Sequence, residues 1–141
     1  MKNIISTTPA ETEAVGVSLA SLLSPGDVVA LYGGLGAGKT AFVRGLATGL
    51  GITAEISSPT FALVHDYGTG IDGTSLVHFD MYRVTGWDDL DAAGFYDYLD
   101  RRVILAVEWA ENIESALPAG VWRVTLTRLD DTRRRIEIEL A

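Results

Sequence analysis

The segment Gly33-Gly34-Leu35-Gly36-Ala37-Gly38-Lys39-Thr40 has the order G-x-x-x-x-G-K-[ST]. Each residue type at that spacing suits the chemistry of a phosphate chain. Glycines let the backbone turn tightly enough for successive amide N–H groups to point inward, and the start of a following helix adds partial positive charge. A lysine after the last glycine is a point charge for β- and γ-phosphate oxygens, and a threonine hydroxyl is a ligand for Mg²⁺. The nucleotide-binding set is therefore Gly33, Gly34, Leu35, Gly36, Ala37, Gly38, Lys39 and Thr40, with Ala41 next in the chain.

Such a loop needs an acidic side chain near the metal, and the carboxyl end of a buried strand is the place for it. Asp80 follows Leu76-Val77-His78-Phe79, and Glu108 follows Val103-Ile104-Leu105-Ala106-Val107. The expectation is that Glu108 holds magnesium with Thr40, directly or through water, and that Asp80 orients or deprotonates an attacking water. Lys39, Asp80 and Glu108 are then the catalytic set, with the two acids open to exchange. His65 and His78 fall in the expected hairpin, where a histidine can carry a proton, although a structural role is the commoner one. With no cysteine and two histidines, a zinc site is not expected. Trp109 reads as packing or as a contact near the nucleotide, and Asp88, Asp89 and Asp91 as a solvated helix face.

These groups need a scaffold, and the pattern supplies one. Thr12 to Leu23 has helical spacing, with Thr8 to Glu11 as capping chemistry before it. Asp27 to Tyr32 is a short valine-rich run typical of a buried strand and leads directly into the glycine loop. From Gly38 a second helix runs to Gly49 or Gly51. Phe61 to Tyr67 and Ser75 to Tyr82 predict a hairpin around Gly68 to Gly73. Trp87 to Leu99 predicts one or two short helices, Val103 to Val107 another buried strand, and Trp109 to Ala116 a short helix. Val121 to Leu126 and Arg135 to Leu140 alternate as strands. The whole predicts one α/β domain over residues 1–141 with a mixed, mostly parallel central sheet flanked by helices.

Hydrophobic residues at 48% and charged residues at 21% exclude disordered and fibrous classes. A net charge of -8 repels a phosphate backbone, which argues against direct nucleic-acid binding. The apolar runs are of strand length, so no membrane span is expected, and the lack of cysteine suits a reducing, cytoplasmic setting.

Taken together, GGLGAGKT at Gly33 to Thr40, SPTF at Ser58 to Phe61, HFDMYR at His78 to Arg83 and Glu108-Trp109 resemble the TsaE (YjeE) family. The resemblance implies a P-loop ATPase that uses ATP and Mg²⁺ in making threonylcarbamoyladenosine in transfer RNA. It implies work with the TsaB and TsaD proteins, supporting turnover of the transfer complex, so that tRNA is met only indirectly. It also implies that Thr60 belongs to a nucleotide-sensing switch near the phosphates, that Trp109 is a functional residue, and that peripheral residues meet the base. Candidates for that contact are Thr8 or Thr12 and Arg133 or Arg134, with Arg133 carried forward as a stacking guanidinium. Preference for ATP over GTP is likewise part of the resemblance. Gly34 stands where the family commonly has aspartate, and Met81 where it commonly has leucine.

Two other functions use the same loop. A small-molecule kinase would transfer the phosphoryl group to an acceptor, but between Phe61 and Trp109 arginine is limited to Arg83, Arg101 and Arg102, short of a lid cluster. A nucleotide-binding scaffold would use occupancy alone to order a partner surface.

Overall fold

The computed structural model describes residues 2–34, 36–53, 56, 64–70, 73–81, 91 and 94–140. Among these, seven strands form one sheet: β1 (Lys2–Ser6), β2 (Val28–Tyr32), β3 (Val64–Thr69), β4 (Ser75–Asp80), β5 (Ile104–Glu108), β6 (Trp122–Arg128) and β7 (Arg134–Leu140), in spatial order β1-β7-β6-β2-β5-β4-β3. The helices are α1 (Pro9–Ala20), α2 (Lys39–Gly49), α3 (Phe95–Asp100) and a 3₁₀ helix at Ala110–Ala116.

The sheet is mixed, as its alternating strand and helix patterns predict, but "mostly parallel" needs refinement. β6, β2, β5 and β4 are mutually parallel, while β1–β7, β7–β6 and β3–β4 pair antiparallel. Five strands thus run one way, yet the adjacent pairings divide equally. Parallelism is confined to the centre, where strands are covered on both faces.

Period-two alternation sorts the core into two clusters. Val29 and Leu31 of β2, Leu76 of β4 and Ile104 and Ala106 of β5 face α1 and α2, where they meet Leu19, Phe42, Val43 and Leu46. Val28, Ala30, Val77, Phe79, Leu105 and Val107 face the other way, onto Phe95 of α3 and Ala110 and Ile113 of the 3₁₀ helix. All of these side chains are nearly or fully buried.

The first helix starts earlier than expected because Thr8 caps it: its side-chain oxygen accepts from the Glu11 amide, and Pro9 sits at the first helical position. α1 and α2 then pack almost backbone to backbone. A Cβ on Gly45 would fall 2.0 Å from the Glu13 carbonyl oxygen, and one on Gly16 2.4 Å from that of Phe42. β1 was not anticipated. It is an edge strand, largely exposed and with only Ile4 and Ile5 as apolar residues, so it shows no periodicity to read; its partner is β7, far along the chain.

Candidate functional site

The glycine loop lies between the buried end of β2 and the start of α2. Gly33 has φ 141° and presses on β6, where a Cβ would come 2.5 Å from the Leu126 carbonyl oxygen. Gly38, at φ 98°, is the residue before α2, and the Phe42 amide donates to its carbonyl at 3.0 Å. Among the described residues no side chain caps α2, a helix start of the kind that suits an anion. Gly34 differs from the others: its φ lies outside the left-handed region, and a Cβ there would meet nothing within 4 Å. A residue with a side chain fits at that position.

Lys39 is the first residue of α2 and is only 6% exposed. Its Nζ is buried, has no hydrogen-bond partner among the described residues and stands 4.0 Å from the centroid of the Trp109 ring. Burial pushes the Lys39 amine below its ordinary pKa, and the negative charges of Glu108, Glu111 and Asp80 act in the opposite sense. A cation–π contact compensates part of the lost hydration. Trp109 lies in left-handed backbone, φ 57° and ψ 42°, between β5 and the 3₁₀ helix.

The two acids sit where the strand pattern puts them. In register, Glu108 lies opposite Leu31 of β2 on one side and Asp80 of β4 on the other. Both carboxylates are therefore at the carboxyl ends of neighbouring parallel strands, beside the loop. The Met81 amide donates to the Glu108 carbonyl at 3.0 Å, and Asn112 Nδ2 donates to the Met81 carbonyl at 2.8 Å, tying the strand ends to the 3₁₀ helix. Glu108 is 4% exposed, and its Oε2 is hydrogen-bonded to His78 Nε2 at 2.7 Å. Asp80 and Thr40 are half-buried.

The remaining expected contacts divide. Ala37 is buried and Ala41 is half-buried in the first turn of α2. Arg133 is bound to Asp130 at 2.7 Å, an exposed pair in which the Arg133 hydrogen bond holds the Asp130 carboxyl well below its usual range. It is Arg134 that reaches the glycine loop, donating from Nε to the Gly36 carbonyl at 3.1 Å. Thr8 is engaged in capping α1. Thr12 is buried, shares a 2.8 Å hydrogen bond with Ser6, and lies against the loop beside Gly38. Leu35, Thr60 with the rest of the SPTF segment, Tyr82, Arg83, Asp88 and Asp89 lie outside the described residues.

Sequence reasoning carried Arg133 forward over its alternative Arg134, and it did not place His78 beside Glu108. The signal for His78 was its position two residues before Asp80 on the same strand, hence on the same face.

A glycine turn closing on a helix start, a buried lysine with no hydrogen-bond partner among the described residues and two carboxylates on adjacent parallel strand ends mark one end of the sheet of this α/β protein. The model of the family described as threonylcarbamoyl adenosine biosynthesis protein TsaE matches residues 6–136, and the chain belongs to that family. It is 40% identical over 128 residues to the tRNA threonylcarbamoyladenosine biosynthesis protein TsaE of Bacillus subtilis, covering 91% of this chain and 78% of that protein. The protein of the same name from Treponema pallidum is 37% identical, covering 95% and 97% respectively. Among solved structures, Bacillus subtilis YdiB superposes with a TM-score of 0.81 at 35% identity, covering 99% of this chain and 86% of YdiB.

Proposed function

We propose that this chain is a Mg²⁺-dependent ATPase with a P-loop NTPase fold. Its hydrolysis would support threonylcarbamoyladenosine modification of tRNA, in concert with TsaB and TsaD. The observation that carries the reading is the Lys39 amine, buried at the head of a glycine turn with no hydrogen-bond partner among the described residues. An ammonium so placed costs free energy unless an anion completes it. The named relatives support the pathway.

In this reading the loop amides and Lys39 bind the phosphate chain, and Trp109 holds the lysine aimed until a phosphate arrives. Thr40 and Glu108 are the residues that would hold magnesium, a hard cation suited to a hydroxyl and a carboxylate. Magnesium, when bound, neutralises charge on the β- and γ-phosphate oxygens. Asp80, at the neighbouring strand end, orients the attacking water and accepts its proton as the bond to the γ-phosphorus forms. Lys39 stabilises the charge that develops on the leaving ADP oxygens. The net charge of -8 keeps tRNA contact indirect, through the partner complex. A cytoplasmic location belongs to the same reading, and among the described residues no helix is long and apolar enough to cross a membrane.

The test is phosphate release from ATP and Mg²⁺ by the purified chain, alone and with TsaB and TsaD, beside Lys39→Ala and Glu108→Ala. Release that rises with the partners and disappears in both variants is expected. A phosphorylated acceptor in place of free phosphate would make the chain a kinase, and binding without release would make it a scaffold.

A further inference from the structure

Behind Glu108 runs a line of polar side chains that the reaction described above does not use. His78 is completely buried, yet both its ring nitrogens are engaged: Nε2 with Glu108 Oε2 at 2.7 Å and Nδ1 with the Tyr67 hydroxyl at 3.0 Å. His65 Nδ1 lies 3.4 Å from the same hydroxyl. The hairpin register explains the gathering. His65 is directly opposite His78, Tyr67 is two residues on and therefore on the same face, and β4 delivers that face beside β5.

The proton order follows from donor chemistry. A carboxylate only accepts, so a bond from His78 to Glu108 needs the hydrogen on Nε2. Nδ1 of the same ring meets the Tyr67 hydroxyl, which can donate or accept and so accommodates the tautomer that the carboxylate selects. Such a line resembles the outer partners that fix metal ligands elsewhere, with the carboxylate here as the inner member. With one oxygen tied, the plane of the carboxylate and the direction of its other oxygen are set.

We propose that His78 is a positioning residue that orients the Glu108 carboxylate for magnesium, with Tyr67 holding the imidazole from its other nitrogen. The proposal rests on the magnesium role assigned to Glu108, and its test separates the two. In ligand-free protein carrying ¹⁵N-histidine, the ring nitrogens of His78, identified as the signals lost in His78→Gln, should show a single tautomer protonated at Nε2. Tyr67→Phe should keep that tautomer, which the carboxylate sets, and shift the Nδ1 resonance as its hydroxyl partner is lost. A wild-type His78 protonated at Nδ1, or exchanging between tautomers, would overturn the proposal whatever the chain does with ATP.

In the hydrolysis assay His78→Leu should raise the half-saturating Mg²⁺ concentration about 10- to 100-fold, with nucleotide affinity measured without Mg²⁺ unchanged. His78→Gln, whose amide N–H reaches the Nε2 position, should recover most of that loss. Should His78→Leu not fold, the comparison of His78→Gln and Tyr67→Phe with wild type carries the test. Variants that lower thermal stability yet keep the wild-type Mg²⁺ dependence would reduce His78 to core packing and overturn the proposal. A wild-type chain without Mg²⁺-dependent hydrolysis would instead remove the ATPase reading and leave the tautomer result to stand or fall alone.

Discussion

On the face of the sheet covered by α1 and α2, the apolar cluster ends in three buried polar side chains, Lys39, His78 and Glu108. On the opposite face, Phe79 meets Phe95 and Tyr98 edge to face, with ring centroids 5.6 Å apart in each case, and Met81, Val107 and Ile113 fill the rest. One strand, β4, serves both: Phe79 points into the aromatic cluster, while its neighbours His78 and Asp80 lie on the side of the chemistry. Trp109 joins the two, packing against the second cluster while the Lys39 amine stands over its ring. The difference teaches that the one-residue alternation of a strand separates what holds the protein together from what it does with a ligand.

The comparison breaks most sharply at Lys39. Lys39→Ala should cut phosphate release by roughly 10³-fold, the scale of losing a preorganised charge at a developing anion, while the chain stays folded by circular dichroism. On the other face, Phe95→Ala should cost about 3–5 kcal/mol in denaturant unfolding through the cavity it leaves. Its hydrolysis per folded molecule should equal that of wild type, so a matching loss of activity would show that the faces are not separable. Gly45→Ala tests the link between scaffold and site. Its Cβ would collide with the Glu13 carbonyl, so we expect about 1–3 kcal/mol lost as overpacking, together with a measurable fall in phosphate release because α2 carries Lys39.

A smaller effect comes from the lysine itself. Its folded-state pKa lies below the ordinary 10.5. Between those two values the unfolded chain keeps a proton that the folded chain has released, so stability rises with pH there, by at most about 1.4 kcal/mol per pH unit. Lys39→Met should lose that part of the slope and be at least as stable as wild type near neutrality. A slope that survives in Lys39→Met would assign it to other groups.

Much of this arrangement is legible in the chain. The runs Val28 to Tyr32 and Ile104 to Glu108 announce parallel strands, and a loop motif between strand and helix fixes where Lys39 must stand. Asp80 and Glu108 are found by the same logic, since a carboxylate after an apolar run has only the strand end to occupy. The rest depends on distant pairing. β1 exists because β7 accepts it, and Arg134 rather than Arg133 reaches Gly36 because of where β7 begins and how Asp130 captures its neighbour. His78 reads as an ordinary core histidine until the register of β4 against β5 sets it beside Glu108. Local pattern carries no information about register between segments so far apart in sequence.

Lys39 offers the most direct test, because the chain has two lysines, Lys2 and Lys39. Titration of the lysine side-chain amines by heteronuclear NMR, without nucleotide and with ATP and Mg²⁺, reads its partner directly. The account predicts a Lys39 pKa below the ordinary value in the free protein and a clear upward shift once the nucleotide is bound, as an anion takes the place of the indole ring. A Lys39 that titrates at the ordinary value and does not respond to ATP would contradict it.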